Sequence, residues 1–443
     1  MKWILLLGAA AVAAGQDDLT LRGAAQLALK QNSTIEASAA ARDAARAGIT
    51  EARSGMLPKV NYSESWTRSD NPVFVFSSLL TQHQFTEQNF ALGPLNRPDF
   101  LNNFQSRVTA EQPLYDAGRT KRATRRAELE HGLSTEELRR QQMTTIAQVA
   151  RFYYGAQLGA EQLKVTAQAM RSATSDLERA ESRRTAGMAT DADVLSIRVH
   201  LARVQEEQIQ RASDLDVARA ALNEAMGLPL DAPHTLSTPL AALSVPPANL
   251  TDLETKGAGE RPELRQSRLA RDIANTQAAD AHARLLPEVA IQGAFEADRQ
   301  RFVNRGGANW LVSIGLRWNL FNGFADKARI EASDAIKRQT TAEQARAESG
   351  VRLQIRQAWA ALQAAQQRIE TAHAAVTAAE ESQRISQNRY EAGLATVTDL
   401  LRTETALIET QARHLAAIHD QRLAATLLEL AAGTLSAESE VLN

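Results

Sequence analysis

The residue types that usually carry chemistry are present in this 443-residue chain, but their spacing does not assemble them into a reaction centre. Eight histidines are scattered along it, and His414 and His419 stand five apart, which suits neither two ligands on one helical face nor a His-Glu-x-x-His pattern. They read as solvated helix residues. Cysteine is absent, so disulfides, thiolate metal sites, a Cys nucleophile and an acylated lipoprotein cysteine are all excluded. Neither a Gly-rich phosphate loop nor a Gly-x-Ser-x-Gly elbow occurs, and the carboxylates lie among Arg and Lys on predicted helices, as solvated faces or i,i+4 pairs do. The expectation is a protein that is not an enzyme and carries no catalytic residue, cofactor or metal.

Two short patterns do carry a physical task. Thr190-x-x-Asp193 follows Gly187 by three residues, and Thr396-x-x-Asp399 follows Gly393 by three. A glycine can end a helix in the left-handed region, and Thr-x-x-Asp can then cap the next helix with both its hydroxyl and its carboxylate. Each pattern predicts a tight turn between two helices.

The helices on either side are long. From Gly118 to Arg184 there is no proline, and only Gly132, Gly155 and Gly159 interrupt a run rich in Ala, Glu, Arg, Gln and Leu. At about 1.5 Å per residue such a helix reaches roughly 100 Å, wider than an ordinary domain. Ile146, Val149, Tyr153, Ala156, Ala160, Leu163, Ala167 and Met170 recur at steps of three and four, a seam for a coiled-coil neighbour.

The whole plan is written twice. Leu57-Pro58-Lys59-Val60 returns as Leu286-Pro287-Glu288-Val289, while Pro113-Leu114-Tyr115-Asp116, Ala186-Gly187 and Met226-Gly227 return as Asn319-Leu320-Phe321-Asn322, Ala392-Gly393 and Ala432-Gly433. Each copy reads as an Ala-rich helix, a strand, a loop, a second strand, then a very long helix, the glycine turn and a returning helix. The first copy covers 16–228, with strands near 58–68 and 104–114 and a long loop at 69–103. The second covers 251–443, with strands near 287–299 and 309–320. Between them, 229–250 holds Pro229, Pro233, Pro239, Pro246 and Pro247 and reads as a connector.

The strands alternate. Val60, Tyr62 and Trp66 alternate with Asn61, Ser63 and Ser65, and Val312, Ile314, Leu316 and Trp318 alternate with Leu311, Ser313, Gly315 and Arg317. One apolar, aromatic face and one polar face fit a membrane strand with lipid outside and water within, and they fit equally a soluble hairpin packed on helices. Four strands per chain are too few to close a membrane barrel, so in the first case several chains must pool their strands; two would give eight and three twelve.

Compartment and charge fit export. Met1 and Lys2 precede an apolar run from Trp3 to Val12 and small residues Ala13, Ala14 and Gly15, so residues 1–15 read as a signal peptide. Elsewhere no apolar stretch is long enough for a transmembrane helix. A formal net charge of -2 gives nucleic acid no long-range attraction.

Taken in order, these residues resemble the TolC-like outer-membrane efflux proteins across nearly the whole mature chain. The likeness rests on Leu19-Thr20-Leu21 with Ala28-Leu29 and Asn32, both Leu-Pro-x-Val entries, Leu320-Phe321-Asn322-Gly323, and Arg389-Tyr390-Glu391-Ala392-Gly393 followed by Asp399-Leu400-Leu401. The resemblance implies a mainly α chain with a membrane β-barrel. As a homotrimer it would form a twelve-stranded β-barrel in outer-membrane lipid and a long α-helical coiled-coil tunnel in the periplasm. It further implies a periplasmic adaptor protein and an inner-membrane transporter as partners, in an efflux or type I secretion system. By the same resemblance Asp193 and Asp399 are candidates for an aperture ring, although some members carry a further Asp where this chain has Arg402, which leaves the gate charge open. Arg183, Gly187, Thr190, Arg389, Tyr390, Gly393 and Thr396 would form the periplasmic tips. Arg183 and Arg389 either complement a helix C-terminus or belong to an adaptor-docking surface. The competing reading is a soluble periplasmic coiled-coil scaffold.

Overall fold

The computed structural model describes residues 18–244, 249–303 and 306–443; the signal-peptide expectation at 1–15 lies outside them. In chain order the elements are β1 Asp18–Leu19, α1 Leu21–Gln31, α2 Ser33–Arg53, β2 Lys59–Ser69, α3 Pro72–Thr81, α4 Leu92–Asn96, β3 Leu101–Tyr115, α5 Arg119–Thr185 and α6 Asp191–Met226. The second half continues with β4 Thr235–Leu236, α7 Leu250–Glu260, α8 Pro262–Ala283, β5 Glu288–Arg299, β6 Gly307–Arg317, α9 Ala325–Glu391 and α10 Val397–Ala432. The written duplication is visible in the elements themselves. Helices α5 and α9 each have 67 residues, and α6 and α10 each have 36.

The chain forms two compact units. One comprises residues 42–133 and 268–343 and holds a four-stranded antiparallel sheet in the order β2-β3-β5-β6. Its register aligns the alternation of all four strands. Val60, Tyr62 and Trp66 stand opposite Ala110, Val108 and Phe104, Val108 opposite Phe295, and Phe295, Ile291 and Val289 opposite Trp310, Ile314 and Leu316. One face is therefore mainly apolar, interrupted by Glu64, Ser106 and Arg299, which bond to one another across β2, β3 and β5. The other carries Asn61, Ser63 and Ser65, then Gln105, Arg107 and Thr109, then Gln292, Glu296 and Asp298, then Asn309 and Ser313. The apolar side chains stay exposed, with Trp310 at 79% and Tyr62 at 67%, where a hairpin folded onto its own helices would bury them.

Differences from the expected boundaries have local causes. Strand β6 ends at Arg317 and not near 320, because its ladder partner β5 begins at Glu288, directly after Pro287, which has no N–H to extend the pairing. Strand β3 starts earlier, at Leu101, to pair with Ser69. The segment 69–103 is not plain loop. Asn71 caps α3 by accepting hydrogen bonds from Val73 and Phe74, Pro72 sits in the first turn, and Phe76, Phe85 and Phe90 stack edge to face at 5.0 and 5.1 Å.

The other unit comprises residues 18–41, 134–267 and 344–443, within the described residues. Its core gathers Leu21, Ala24, Ala25 and Ala28 of α1 with Ile146, Val149, Tyr153 and Tyr154 of α5, Leu222 and Met226 of α6, and Leu428 of α10. The first half of the predicted seam is buried here, while its residues Ala160, Leu163, Ala167 and Met170 are only half-buried. The connector is better ordered than its prolines suggest. Strand β4 pairs in parallel with β1, and the Tyr153 hydroxyl fixes both by donating to the Leu19 carbonyl at 2.7 Å and accepting from Thr238 N–H at 2.9 Å. No helix among the described residues is long and apolar enough to cross a membrane.

Candidate functional site at the two hairpin tips

Both glycine turns form as helical hairpins. Gly187 and Gly393 adopt φ of 75° and 73°, a conformation that costs an L side chain about 1–2 kcal/mol. The following residue then reaches back: Met188 N–H donates to Arg183 O at 2.8 Å, and Leu394 N–H donates to Arg389 O at 2.7 Å. These bonds satisfy carbonyls that the helix ends would otherwise leave unpaired.

The returning helices start in matching fashion. Asp193 N–H donates to Thr190 Oγ1 at 3.2 Å, while Thr190 N–H donates to Asp193 Oδ2 at 2.9 Å. Asp399 N–H likewise donates to Thr396 Oγ1 at 3.2 Å, and Thr396 N–H to Asp399 Oδ2 at 3.1 Å. The hydroxyl and N–H of Thr396, helped by Arg402 and Arg389, hold the Asp399 carboxyl below the usual aspartate range. Arg402 thus tempers the very carboxylate proposed for the aperture.

Arg183 does something the sequence did not indicate. It leaves its own helix end and donates to the carbonyls of Tyr390, at 3.0 Å, and Glu391, at the end of α9, with its guanidinium 5.1 Å from the Tyr390 ring centroid. It caps the helix of the other repeat. Arg389 stays local, reaching Leu394 O at 3.5 Å. Tyr390 itself is buried in a small apolar core with Ala180, Val194, Ile197, Val397 and Leu400, to which both hairpins contribute.

Beside that core lies a group of residues that sequence reasoning missed. Asp176 is 3% exposed, and Glu404 and His200 are 7% exposed each. Asp176 forms an ion pair with Arg179, and His200 Nε2 lies 3.5 Å from Glu404 Oε2. Burial and the neighbouring Asp176 push the Glu404 carboxyl up to about 8, with Arg179 opposing. Burial, aided by Arg203, pushes His200 down, with Asp176 opposing. The expectation that histidines and carboxylates here are solvated is wrong for these three. A faint signal existed: His200 follows Val194 and Ile197 at steps of three, on the face that packs inward.

The sequence pattern of the outer membrane efflux protein family matches residues 24–228 and 257–434. The chain belongs to that family. Its two matched blocks fall on the two copies of the helix and strand plan. Protein CyaE of Bordetella pertussis is 26% identical over 343 residues, covering 76% of this chain and 72% of its own. The probable efflux pump outer membrane protein TtgC of Pseudomonas putida is 24% identical over 406 residues, 89% of this chain and 78% of its own. The CmeC outer membrane channel of Campylobacter jejuni shares the fold, with a TM-score of 0.80 at 14% identity, covering 96% of this chain and 88% of that one. This outer membrane efflux protein is therefore placed in the outer membrane, and its exposed apolar sheet face argues against the soluble scaffold.

Proposed function

We propose that three copies of this efflux protein join edge to edge into a passive exit duct. Four strands from each would form a twelve-stranded barrel in outer-membrane lipid, and the long helical hairpins would form a periplasmic tunnel. The observation that carries this reading is the open sheet. Its outer strands β2 and β6 have no partner in the described chain, yet its apolar face suits lipid, where unpaired N–H and C=O groups cost several kcal/mol each. Identical copies supply the missing pairs. With no catalytic role of its own, the duct takes its driving force from an inner-membrane transporter, reached through a periplasmic adaptor that meets the tips around Arg183, Gly187, Thr190, Arg389, Tyr390, Gly393 and Thr396. TtgC, an efflux pump component by name, supports that partnership.

Cross-linking of detergent-extracted protein is expected to give a trimer, and a stable monomer under the same conditions would overturn the reading. Asp193 and Asp399 we propose as the aperture ring. Asp399→Asn keeps an oxygen that can accept from Thr396 but removes the charge, so it is expected to change conductance or cation block in planar bilayers. Unaltered conductance and block would leave Asp399 with its capping task alone.

A further inference from the structure

The group beside the tip core, with Asp176, His200 and Glu404 buried and Arg179 exposed at its rim, joins all four long helices of its unit. Asp176 and Arg179 come from α5, His200 from α6 and Glu404 from α10, and Arg179 also lies 3.7 Å from Glu391 near the end of α9. None of the four groups takes part in the glycine turns or the Thr-x-x-Asp caps. Apolar side chains would fill the same space without the desolvation cost of ionisable groups. The hydrogen bond between the Glu404 and Asp176 side chains needs one proton, since two carboxylates have only acceptors to offer each other.

Charge counting gives the cluster one preferred state. With Asp176 paired to Arg179 at the rim, and Glu404 and His200 both neutral, the net charge of the cluster is zero. Removing the Glu404 proton sets two carboxylates against one guanidinium. Adding a proton to His200 buries its charge and sets it against Arg203, which donates to Thr405 Oγ1 at 2.9 Å. Either change favours separation of the helices and entry of water. A cleft of about 440 Å³ lined by Asp176, Arg179, Arg183, Gln387, Tyr390 and Glu391 already gives water a route to the cluster.

We propose that Asp176, Arg179, His200 and Glu404 form a proton-operated latch between the two hairpins, closed while Glu404 carries its proton and released when the proton leaves. As a gate control the latch rests on the exit-duct reading; as a pH-dependent contact it stands alone. The sign follows from proton counting. Glu404 binds its proton more tightly in the closed tip than at its ordinary value of 4.5, so closure weakens as pH rises, until about 8. His200 acts oppositely below its ordinary 6.5, because burial disfavours its charged form in the closed tip. Below 6.5 the two contributions therefore offset each other, and above it only that of Glu404 remains, so the latch weakens between 6.5 and 8.

Amide hydrogen exchange on the full-length protein in detergent reads this directly. Across residues 176–204 and 387–405, after correction for intrinsic rates, the opening constant of wild type is expected to rise roughly tenfold per pH unit from 6.5 to 8 and then level off. Glu404→Gln, whose amide can still donate to Asp176, is expected to abolish the rise. Asp176→Asn is expected to move the plateau to lower pH by roughly one unit or more, since the repelling neighbour is gone. A flat wild-type profile, or Glu404→Gln with the wild-type slope, would overturn the latch. Bilayer conductance recorded in parallel separates the two ideas: exchange that follows the expected profile in a protein that never conducts supports the latch and sinks the duct, whereas conduction without the exchange step sinks the latch alone.

Discussion

The two hairpin tips descend from one repeated plan, and they differ in an instructive way. Their backbones are near copies, with φ of 75° and 73° at the turn glycines and the same reciprocal Thr-Asp cap. Their side chains are not. Arg184 of the first hairpin is exposed and lies 3.5 Å from Asp191, whereas Tyr390, its counterpart in the second, is buried. Glu404 is buried, whereas its counterpart Arg198 pairs with Glu181 at 2.6 Å on the surface. Asp176 and His200 face counterparts Ser382 and Ala406 that carry no charge. Duplication has kept what any helical turn needs and changed what lies between the helices, so the hairpins have become complementary surfaces.

The largest test of this complementarity is removal of shared core. Leu400→Ala deletes a fully buried side chain from the second hairpin and is expected to cost about 2–5 kcal/mol, read as faster proteolysis at the tip arginines of both hairpins. Val194→Ala, at the matching position of the first, removes fewer carbons and should act in the same direction but less. If Leu400→Ala loosens the second hairpin alone, the core is not shared in the way the packing indicates.

Next comes the crossing arginine. Arg183→Ala leaves the Tyr390 and Glu391 carbonyls without their donor and the Tyr390 ring without its cation, an expected loss of about 1–2 kcal/mol seen as weaker exchange protection around residues 390–394. Arg389→Ala gives up one long bond within its own turn and is expected to stay within about 0.5 kcal/mol. Equal effects would restore the symmetry that the sequence repeat suggests. Gly187→Ala and Gly393→Ala, by contrast, should match each other at about 1–2 kcal/mol, because nothing lies within 4 Å of either added Cβ and only backbone strain is paid.

What could be read in the sequence was what repeats or alternates. The glycine turns, the Thr-x-x-Asp caps and the long helices are local patterns, set by residues within a few positions of one another, and the period-two runs marked the apolar positions from Val60 and Tyr62 to Val312 and Leu316. What depends on distant partners was hidden. Arg183 looks like any basic residue at a helix end until Tyr390, 207 positions away, is placed against it. Glu404 and Asp176 look like solvated helix carboxylates until the packing of α5 against α10 removes their water. Helices α3 and α4 were missed for another reason: in short elements between strands, the apolar side chains pack on whatever is near and no period forms.

The smallest expected effects lie in the caps, where they ask whether the two hairpins are equal at all. Thr190→Ala and Thr396→Ala each remove an oxygen that accepts from the third helical N–H and donates to the Asp carboxylate, at about 1 kcal/mol apiece. Titration can then part them. Because the Asp399 carboxyl is held below its ordinary 3.8, its contribution is fully present above that value and is lost as pH falls through the lower folded-state value. Two arginines, Arg402 and Arg389, bear on it, whereas the nearest charge in the first cap's opening turn is the acidic Asp191. Neutralising that support by Arg402→Gln should therefore make the second hairpin lose its cap at a higher pH and leave the first unchanged, as followed by exchange of the Asp193 and Asp399 amides. A response of both amides, or of neither, would mean that the positive field around Asp399 has no part in holding its helix end.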